Sequence, residues 1–140
     1  SLRAFNEVQN ITLTRALILG DSIIQAGTKV PSHDVVWDPK RSAVVIADII
    51  FDNDILGVAT TREQLRVTDA LAALDNVEYR DPRLRGLESR DRYSFDDNVL
   101  AIDFRASSPG DFVRVFTEVP APGAAAVLGL AGLAASRRRR

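Results

Sequence analysis

The last stretch of the chain, Val119 to Arg140, is the feature that most constrains what the protein can form. It reads VPAPGAAAVLGLAGLAASRRRR: a proline-flanked break, an unbroken apolar run from Gly123 to Ala135, and four arginines after Ser136. A terminal helix that packs on its own domain has a polar face, and this run has none. At about 1.5 Å per residue the run covers roughly 20 Å, whereas the hydrocarbon core of a bilayer is about 30 Å thick. The segment therefore spans a membrane only if its flanks help.

Both flanks suit a membrane-spanning helix. Pro120 and Pro122 can enter at the interface, and long arginine stems can snorkel to the headgroups on the far side. Because clustered positive charge stays on the cytoplasmic side, the tail predicts a cytoplasmic C-terminus and a body outside the membrane. The hydrophobic helix is predicted at 123–136. Its membrane residues include Gly123, Leu128, Leu130 and Leu133, and the retaining charges are Arg137, Arg138, Arg139 and Arg140.

The order of these parts resembles the PEP-CTERM sorting signal of Gram-negative bacteria, which is also labelled ice-binding protein C-terminal domain. In that family the signal holds an exported protein in the inner membrane until an exosortase, a membrane cysteine protease, processes it near a Pro-Glu-Pro motif. The resemblance implies that Pro120, Ala121 and Pro122 are the processing motif and that an exosortase is a partner. Ala121 stands where the family usually has Glu, although the spacing to the arginines is kept. The resemblance implies nothing about ice.

The charge of the chain divides at the same boundary. Residues 1–118 are predicted to form one exported domain and residues 119–140 the signal. All 19 acidic residues precede Val119, while four of the 18 basic ones follow it, so the body carries a net charge of −5. An acidic body argues against a nucleic-acid partner. Without cysteine there is no disulfide and no Cys nucleophile. Because the chain has no methionine and its tail resembles a sorting signal for an exported protein, we expect a signal peptide upstream of Ser1.

The body is predicted to be mainly β. Short strands, frequent turns and one helix are typical of an antiparallel β-sandwich or a jelly-roll-like domain. The helix is predicted from Thr61 to Leu74, with Thr61 as its cap. The nearly continuous apolar run from Ser42 to Phe51 predicts a strand buried on both faces. The other strands are predicted at 10–19, 22–26, 35–37, 55–59, 93–95, 99–104 and 112–117.

Three short pieces of the body resemble an ectodomain that recurs ahead of PEP-CTERM signals. They are Phe51 to Val58 (FDNDILGV), Arg85 to Glu88 (RGLE) and Pro109 to Thr117 (PGDFVRVFT). That family has no assigned biochemical activity. The resemblance therefore implies an architecture and no reaction.

His33, the only histidine, lies between Ser32 and Asp34, which together are the residue types of a hydrolase triad. Consecutive residues cannot form the relay of a triad, because separate segments must approach in space to build it. An acyl-transfer site would need His33 with a distant serine and a distant aspartate. The simpler interpretation is a loop histidine beside a proline.

Calcium is the one cofactor that the sequence suggests. Asp52 and Asp54, with Asp48 and Asn53 nearby, supply the oxygen ligands that calcium prefers. The spacing lacks the closing glutamate of an EF-hand loop, and a turn explains the same residues. Asp96 to Asn98 has the same ambiguity.

An arginine-rich crossing at residues 80–92 could hold an anionic polysaccharide by bidentate pairing. The acidic residues interleaved with its arginines favour internal neutralisation instead; they are Glu78, Asp81, Glu88 and Asp91.

These observations predict a non-enzymatic exported protein of the cell surface or matrix, anchored first in the inner membrane and then surface-attached or secreted, with extracellular polysaccharide as a candidate partner. One alternative is a secreted hydrolase of glycan or lipid, with paired carboxylates among Asp52, Asp54, Glu88 and Asp91. Another is a carbohydrate-binding module, which needs exposed aromatic rings for stacking. The candidate rings are Trp37, Tyr79 and Tyr93.

Overall fold

The computed structural model describes residues 1–107 and 110–120. Within these ranges the chain forms short antiparallel strands and one α-helix. In chain order the elements are β1 (Leu2–Asn6), β2 (Ile11–Thr12), β3 (Leu17–Leu19), β4 (Ser22–Ile24), β5 (Lys29–Val30), β6 (Ser32–Trp37), β7 (Ala43–Ile50), β8 (Ile55–Ala59), α1 (Arg62–Ala72), a 3₁₀ turn (Pro82–Leu84), β9 (Arg92–Asp96), β10 (Val99–Ala106) and β11 (Asp111–Thr117). The predicted mainly β fold with antiparallel sheets and one short helix is confirmed.

Two sheets face each other across the larger core. One has the strand order β1-β6-β11-β8 and the other the order β7-β10-β9, and every pairing is antiparallel. Apolar side chains from both sheets meet between them, among them Val35, Val113, Val115, Leu100 and Phe104. Burial of these side chains, worth about 1.5–3 kcal/mol each, holds the two layers together.

A second core lies on the opposite face of the four-stranded sheet. Phe116 of β11 and Ala59 of β8 pack there with Leu65 of α1 and with residues of two small hairpins, β2–β5 and β3–β4. The four-stranded sheet is thus covered on both sides. All seven residues of β11 are buried as a result.

The helix begins where its sequence predicts. Thr61 is the N-cap, and its hydroxyl accepts a hydrogen bond from the Gln64 N–H at 3.1 Å while the Gln64 side chain accepts from the Thr61 N–H at 3.2 Å. This reciprocal capping box satisfies N–H groups that the first turn leaves unpaired. The segment after the helix is fixed to the same point, because the Leu87 N–H donates to the Thr60 carbonyl at 2.8 Å.

The prediction for the apolar run at 42–51 is wrong in one respect. The run does form a strand, β7, but among the described residues β7 pairs only with β10 and is the edge of its sheet. Its exposure alternates residue by residue, so one face points to solvent. The strand that is buried on both faces is β11, which carries a charged residue, Arg114, at its centre.

Candidate functional site at the end of the last strand

A cleft of about 270 Å³ lies where β11 ends and the C-terminal segment begins. Among the residues singled out from the sequence, His33, Asp52 and Pro120 line it. We call it the exit cleft; its other lining residues include Asn6, Phe51, Asn53 and Thr117. The fold therefore brings together a histidine, an acidic turn and the first proline of the predicted processing motif.

Backbone hydrogen bonds hold the chain up to the edge of this cleft. The Thr117 N–H donates to the Pro31 carbonyl at 3.2 Å, and the Glu118 N–H donates to the Asp54 carbonyl at 2.8 Å. The turn at residues 52–54 thus has a structural role through its backbone. Pro120 is the one residue of the predicted processing motif within the described ranges, whereas Ala121, Pro122, Gly123, Leu128, Leu130, Leu133 and Arg137 to Arg140 lie outside them.

His33 connects three strands across the cleft. Its Nδ1 lies 2.8 Å from Asn6 Oδ1 and its Nε2 lies 3.1 Å from Thr117 Oγ1. With Nδ1–H donating to the Asn6 oxygen, the neutral ring accepts the Thr117 hydroxyl at Nε2. Burial lowers the pKa of His33, although the charges of Glu7 and Asp52 oppose that change. The imidazole is therefore neutral near pH 7.

A hydroxyl, an imidazole and an amide in a row resemble the relay that activates a nucleophile. Thr117, however, is buried with 1% of its surface exposed, so a substrate carbonyl cannot approach its oxygen in this conformation. The arrangement instead ties together the ends of β1, β6 and β11. Ser32 and Asp34 take no part in it, because neighbouring residues of a strand point to opposite faces, and the Ser32 hydroxyl donates to Glu7 at 2.8 Å on the other side of the sheet.

The described residues do not form a cluster of calcium ligands. Within the described residues no three histidine, cysteine, aspartate or glutamate side chains are placed to share a metal ion. Asp52 and Asp54 are both exposed at their turn.

The carboxylates proposed for a hydrolase do not share one cavity. Asp52 lines the exit cleft, whereas Glu88 lines a different cavity beside Arg62 and Arg83. Asp91 accepts hydrogen bonds from the backbone N–H groups of Glu88 and Arg105, at 2.6 and 2.8 Å. Its carboxylate therefore stabilises the turn before β9.

The three candidate aromatic rings also lie in different parts of the fold. Trp37 is half-buried against the larger core, and Tyr79 lies over buried arginines on the helix side of the four-stranded sheet. Tyr93, 38% exposed on β9, is the most accessible of the three candidate stacking rings.

Sequence reasoning missed a buried ionic network behind the exit cleft. Arg114 Nε and Nη2 donate to the two carboxylate oxygens of Glu7 at 2.7 and 2.8 Å, and both side chains are fully buried. Arg114 Nη1 donates to Thr68 Oγ1 at 2.8 Å and lies 3.0 Å from Asp69. Burial disfavours the charged guanidinium, but hydrogen bonds to Glu7 and Asp69 outweigh it and raise the pKa of Arg114. The only sequence signal was an arginine inside an otherwise apolar strand.

Tyr79 and Arg85 extend this network from the arginine-rich crossing. The Tyr79 hydroxyl donates to Glu7 at 2.9 Å and accepts from the Leu74 N–H at 3.1 Å, and burial raises the pKa of Tyr79 to about 12. Arg85, which is almost fully buried, forms a bidentate pair with Asp69 of α1. Arg80 pairs with Asp38 at 3.0 Å. Arg80 and Arg85 of the crossing are thus neutralised within the protein, by partners that lie outside the crossing itself.

Asp34 is an acidic group beside the same network. It lies opposite Arg114 in the pairing of β6 with β11 and is 4% exposed. Burial, followed by the negative charge of Glu7, raises the pKa of Asp34 to about 7, against the opposing effect of Arg114 and Arg85. The positive charge of Arg114 therefore offsets the negative charge of Glu7 more fully than it would offset a charge on Asp34.

No protein family, curated protein or solved structure matches the chain. Among the described residues, no helix is long and apolar enough to cross a membrane.

Proposed function

We propose that this chain is an exported cell-surface or extracellular-matrix protein of a Gram-negative bacterium, sorted by its C-terminal segment. Residues 1–118 form the exported module, a β-sandwich of jelly-roll-like type, and residues 119–140 form the signal. The signal enters the inner membrane as a helix at 123–136, the arginines hold its end in the cytoplasm, and an exosortase processes it. The module then remains at the surface or is secreted.

One observation carries the proposal. Pro120-Ala121-Pro122, a purely apolar run and, after Ser136, four arginines follow one another at the end of an acidic body. Each part suits its step, because the run partitions into lipid, the arginines resist translocation and the prolines break the chain before the helix.

The position of the signal after the module also supports the proposal. β11 ends at Thr117, and the backbone bond of Glu118 to Asp54 fixes the chain immediately before Val119. Pro120 lies at the surface of the exit cleft. Removal of everything after Pro120 would leave the strands, both cores and the Glu7–Arg114 pair intact.

In this proposal the chain is a substrate of the exosortase rather than a catalyst. Extracellular polysaccharide is the partner proposed for the released module. His33 and Thr117 then stabilise the end of the module next to the cleavage point, and no reaction is assigned to them.

The decisive experiment measures the intact mass of the mature protein from the envelope and from the medium. A mass that lacks the residues after Pro120 supports processing, whereas a mass that includes Arg140 contradicts it. Ala121→Glu, which restores the usual family residue, should increase the processed fraction. Unchanged processing in that variant would argue against recognition at this motif.

A second experiment tests retention. Replacing Arg137 to Arg140 by glutamine should release or mislocalise the precursor in membrane fractionation. The matched control removes four exposed arginines of the body instead, Arg15, Arg62, Arg83 and Arg90. If both sets behave alike, the tail arginines have no special role in retention.

A further inference from the structure

β7 combines an apolar surface with an edge that has no partner strand among the described residues, which we call its free edge. Val44, Ile46 and Ile50 project from its outer face with 53%, 76% and 72% of their surface exposed; we call them the β7 row. On the inner face Val45, Ala47 and Ile49 are only partly buried against the larger core. An exposed apolar edge strand is a template for pairing with another strand. β7 thus has the composition of an interior strand in an edge position.

Backbone groups of β7 also point to its free edge. The Phe51 N–H donates to the Asn98 carbonyl at 2.9 Å, in continuation of the ladder that sets Ile50 opposite Val99. Antiparallel ladders alternate, so every second residue directs its N–H and C=O groups to the other side. By this alternation Ile46, Asp48 and Ile50 direct theirs toward the free edge.

We infer that β7 is the edge through which two copies of this chain pair, antiparallel to each other, to join their β7-β10-β9 sheets into one continuous sheet. The charges at the two ends of the strand favour a second copy as the partner. Lys40 and Arg41 precede β7, and Asp52 and Asp54 follow it. Antiparallel self-pairing sets the basic end of each strand against the acidic end of the other.

One register of the two β7 strands sets opposite charges against each other and keeps like charges apart. With Ile46 opposite Ile46 of the second copy, Lys40 lies opposite Asp52 of the second copy. Each Asp48 then lies opposite a Val44, so the two Asp48 carboxylates are kept apart. Opposite charges across a strand pair stabilise it and like charges destabilise it.

Two other partners, a sheet stacked face to face and a lipid surface, fit this part of the protein less well. Face-to-face stacking of two sheets would bring together the outer side chains of β9 and β10, which include Arg92, Asp96, Asp103 and Arg105. A lipid surface rich in anionic headgroups would meet Asp48 on the same face of β7 and the acidic turn at the end of the strand, and like charges repel. The most exposed apolar side chains of this outer face lie on the edge strand, while Val99 and Ala101 of β10 beside them are only partly exposed.

The interface is small. Two paired strands of this length bury less than the roughly 1,200 Å² of a standard interface, so the dimer should dissociate on dilution. Tethering of both copies to one membrane would raise their effective concentration and favour pairing. The inference itself does not depend on the sorting signal.

The absence of cysteine from the chain allows a direct test. An Ile46→Cys variant of the full chain is treated with a thiol crosslinker that spans about 8 Å, the reach of neighbouring cross-strand positions. The matched control is Ile18→Cys, which is 68% exposed on the β3–β4 hairpin, in a different sheet from β7. The Ile46→Cys variant should form covalent dimer at least about ten-fold faster than the control, because pairing raises the local thiol concentration.

Equal rates for the two variants would overturn the inference, since association through the apolar tail brings both positions together alike. Slow reaction of Ile46→Cys with a monofunctional thiol reagent at high dilution would also overturn it, because another segment of the same chain would then cover the edge.

A charge exchange checks the proposed register. In the Ile46→Cys background, Lys40→Glu should slow dimer formation and Lys40→Glu with Asp52→Lys should restore it. Failure of the double exchange to restore the rate, with circular dichroism unchanged, would exclude this antiparallel arrangement.

Discussion

Glu7 and Arg114 lie 107 residues apart in the chain and form a bidentate ion pair in the interior, with N–O distances of 2.7 and 2.8 Å. Glu7 follows β1, and Arg114 is at the centre of β11. The carboxylate also accepts hydrogen bonds from Ser32 and Tyr79, at 2.8 and 2.9 Å. Each oxygen of Glu7 therefore has two donors, which offsets the desolvation of the charge.

Removal of one partner of this pair should be strongly destabilising. Arg114→Met leaves the Glu7 carboxylate buried without its cation, and we expect a loss of about 3–5 kcal/mol in the free energy of unfolding. Urea denaturation followed by circular dichroism measures the loss. Arg66→Ala is the matched control: it removes an exposed Arg–Glu pair, made with Glu63, and should change stability far less, because solvent screens an exposed pair.

A double-mutant cycle separates the pair from its surroundings. Glu7→Gln with Arg114→Met should be less destabilising than the sum of the two single changes, because no unpaired charge stays buried. Additive losses would mean that the two residues stabilise the fold independently, contrary to the observed geometry.

Local features of the fold could be predicted from the sequence, because their causes lie within a few residues. Thr61 and Gln64 define the helix start, and the turn between β9 and β10 falls within residues 96–98, where Asp97 adopts a left-handed φ of 50°. Short-range capping and turn chemistry determine both.

The rest could not be predicted, because it depends on which strands become neighbours. Composition alone cannot say that β7 is an edge, since the same apolar run would suit an interior strand. An arginine at position 114 does not suit an apolar strand by itself; only its pairing with Glu7, near the other end of the chain, explains it. His33 meets Asn6 and Thr117 only through the pairing of β1, β6 and β11.

Gly110 should tolerate alanine far less well than Gly20. Both have positive φ, 87° and 64°, but a Cβ at Gly110 would lie 2.4 Å from the Trp37 carbonyl oxygen, whereas Gly20 has nothing within 4 Å. Gly20→Ala should cost about 1–2 kcal/mol from backbone strain, and Gly110→Ala about 3–5 kcal/mol once overpacking is added. Equal thermal midpoints for the two variants would show that close packing at Trp37 is unimportant.

The capping box of α1 gives a smaller and more local prediction. Thr61→Ala removes the oxygen that accepts from the Gln64 N–H, and we expect a loss of about 1 kcal/mol in the free energy of unfolding. Thr14→Ala, at an exposed position outside the helix, is the control. Because the Leu87 N–H donates a hydrogen bond to the Thr60 carbonyl, amide exchange should also accelerate at Leu87 in the Thr61→Ala variant. Exchange confined to the helix would contradict this coupling.

Asp111 should make stability depend on pH. Burial, with smaller contributions of the same sign from the nearby charges of Asp91 and Glu88, raises the pKa of Asp111 to about 7. Because this pKa lies above the ordinary value of 3.8, the folded state binds the proton more tightly than the unfolded state. This contribution to stability is complete below about pH 4 and is lost as pH rises toward 7.

Asp111→Asn keeps the shape and removes the titration. Relative to the unsubstituted chain, the variant should gain stability as pH rises from 4 to 8, by on the order of 2–4 kcal/mol, since one pKa unit corresponds to about 1.4 kcal/mol. The pKa of Asp34 is also raised to about 7, so the stability of the variant still depends on pH, with the same sign. Urea unfolding at several pH values, with the exposed Asp21→Asn as the control for charge removal, measures the difference. A constant offset between Asp111→Asn and the unsubstituted chain across this range would mean that the pKa of Asp111 is not raised in the folded protein.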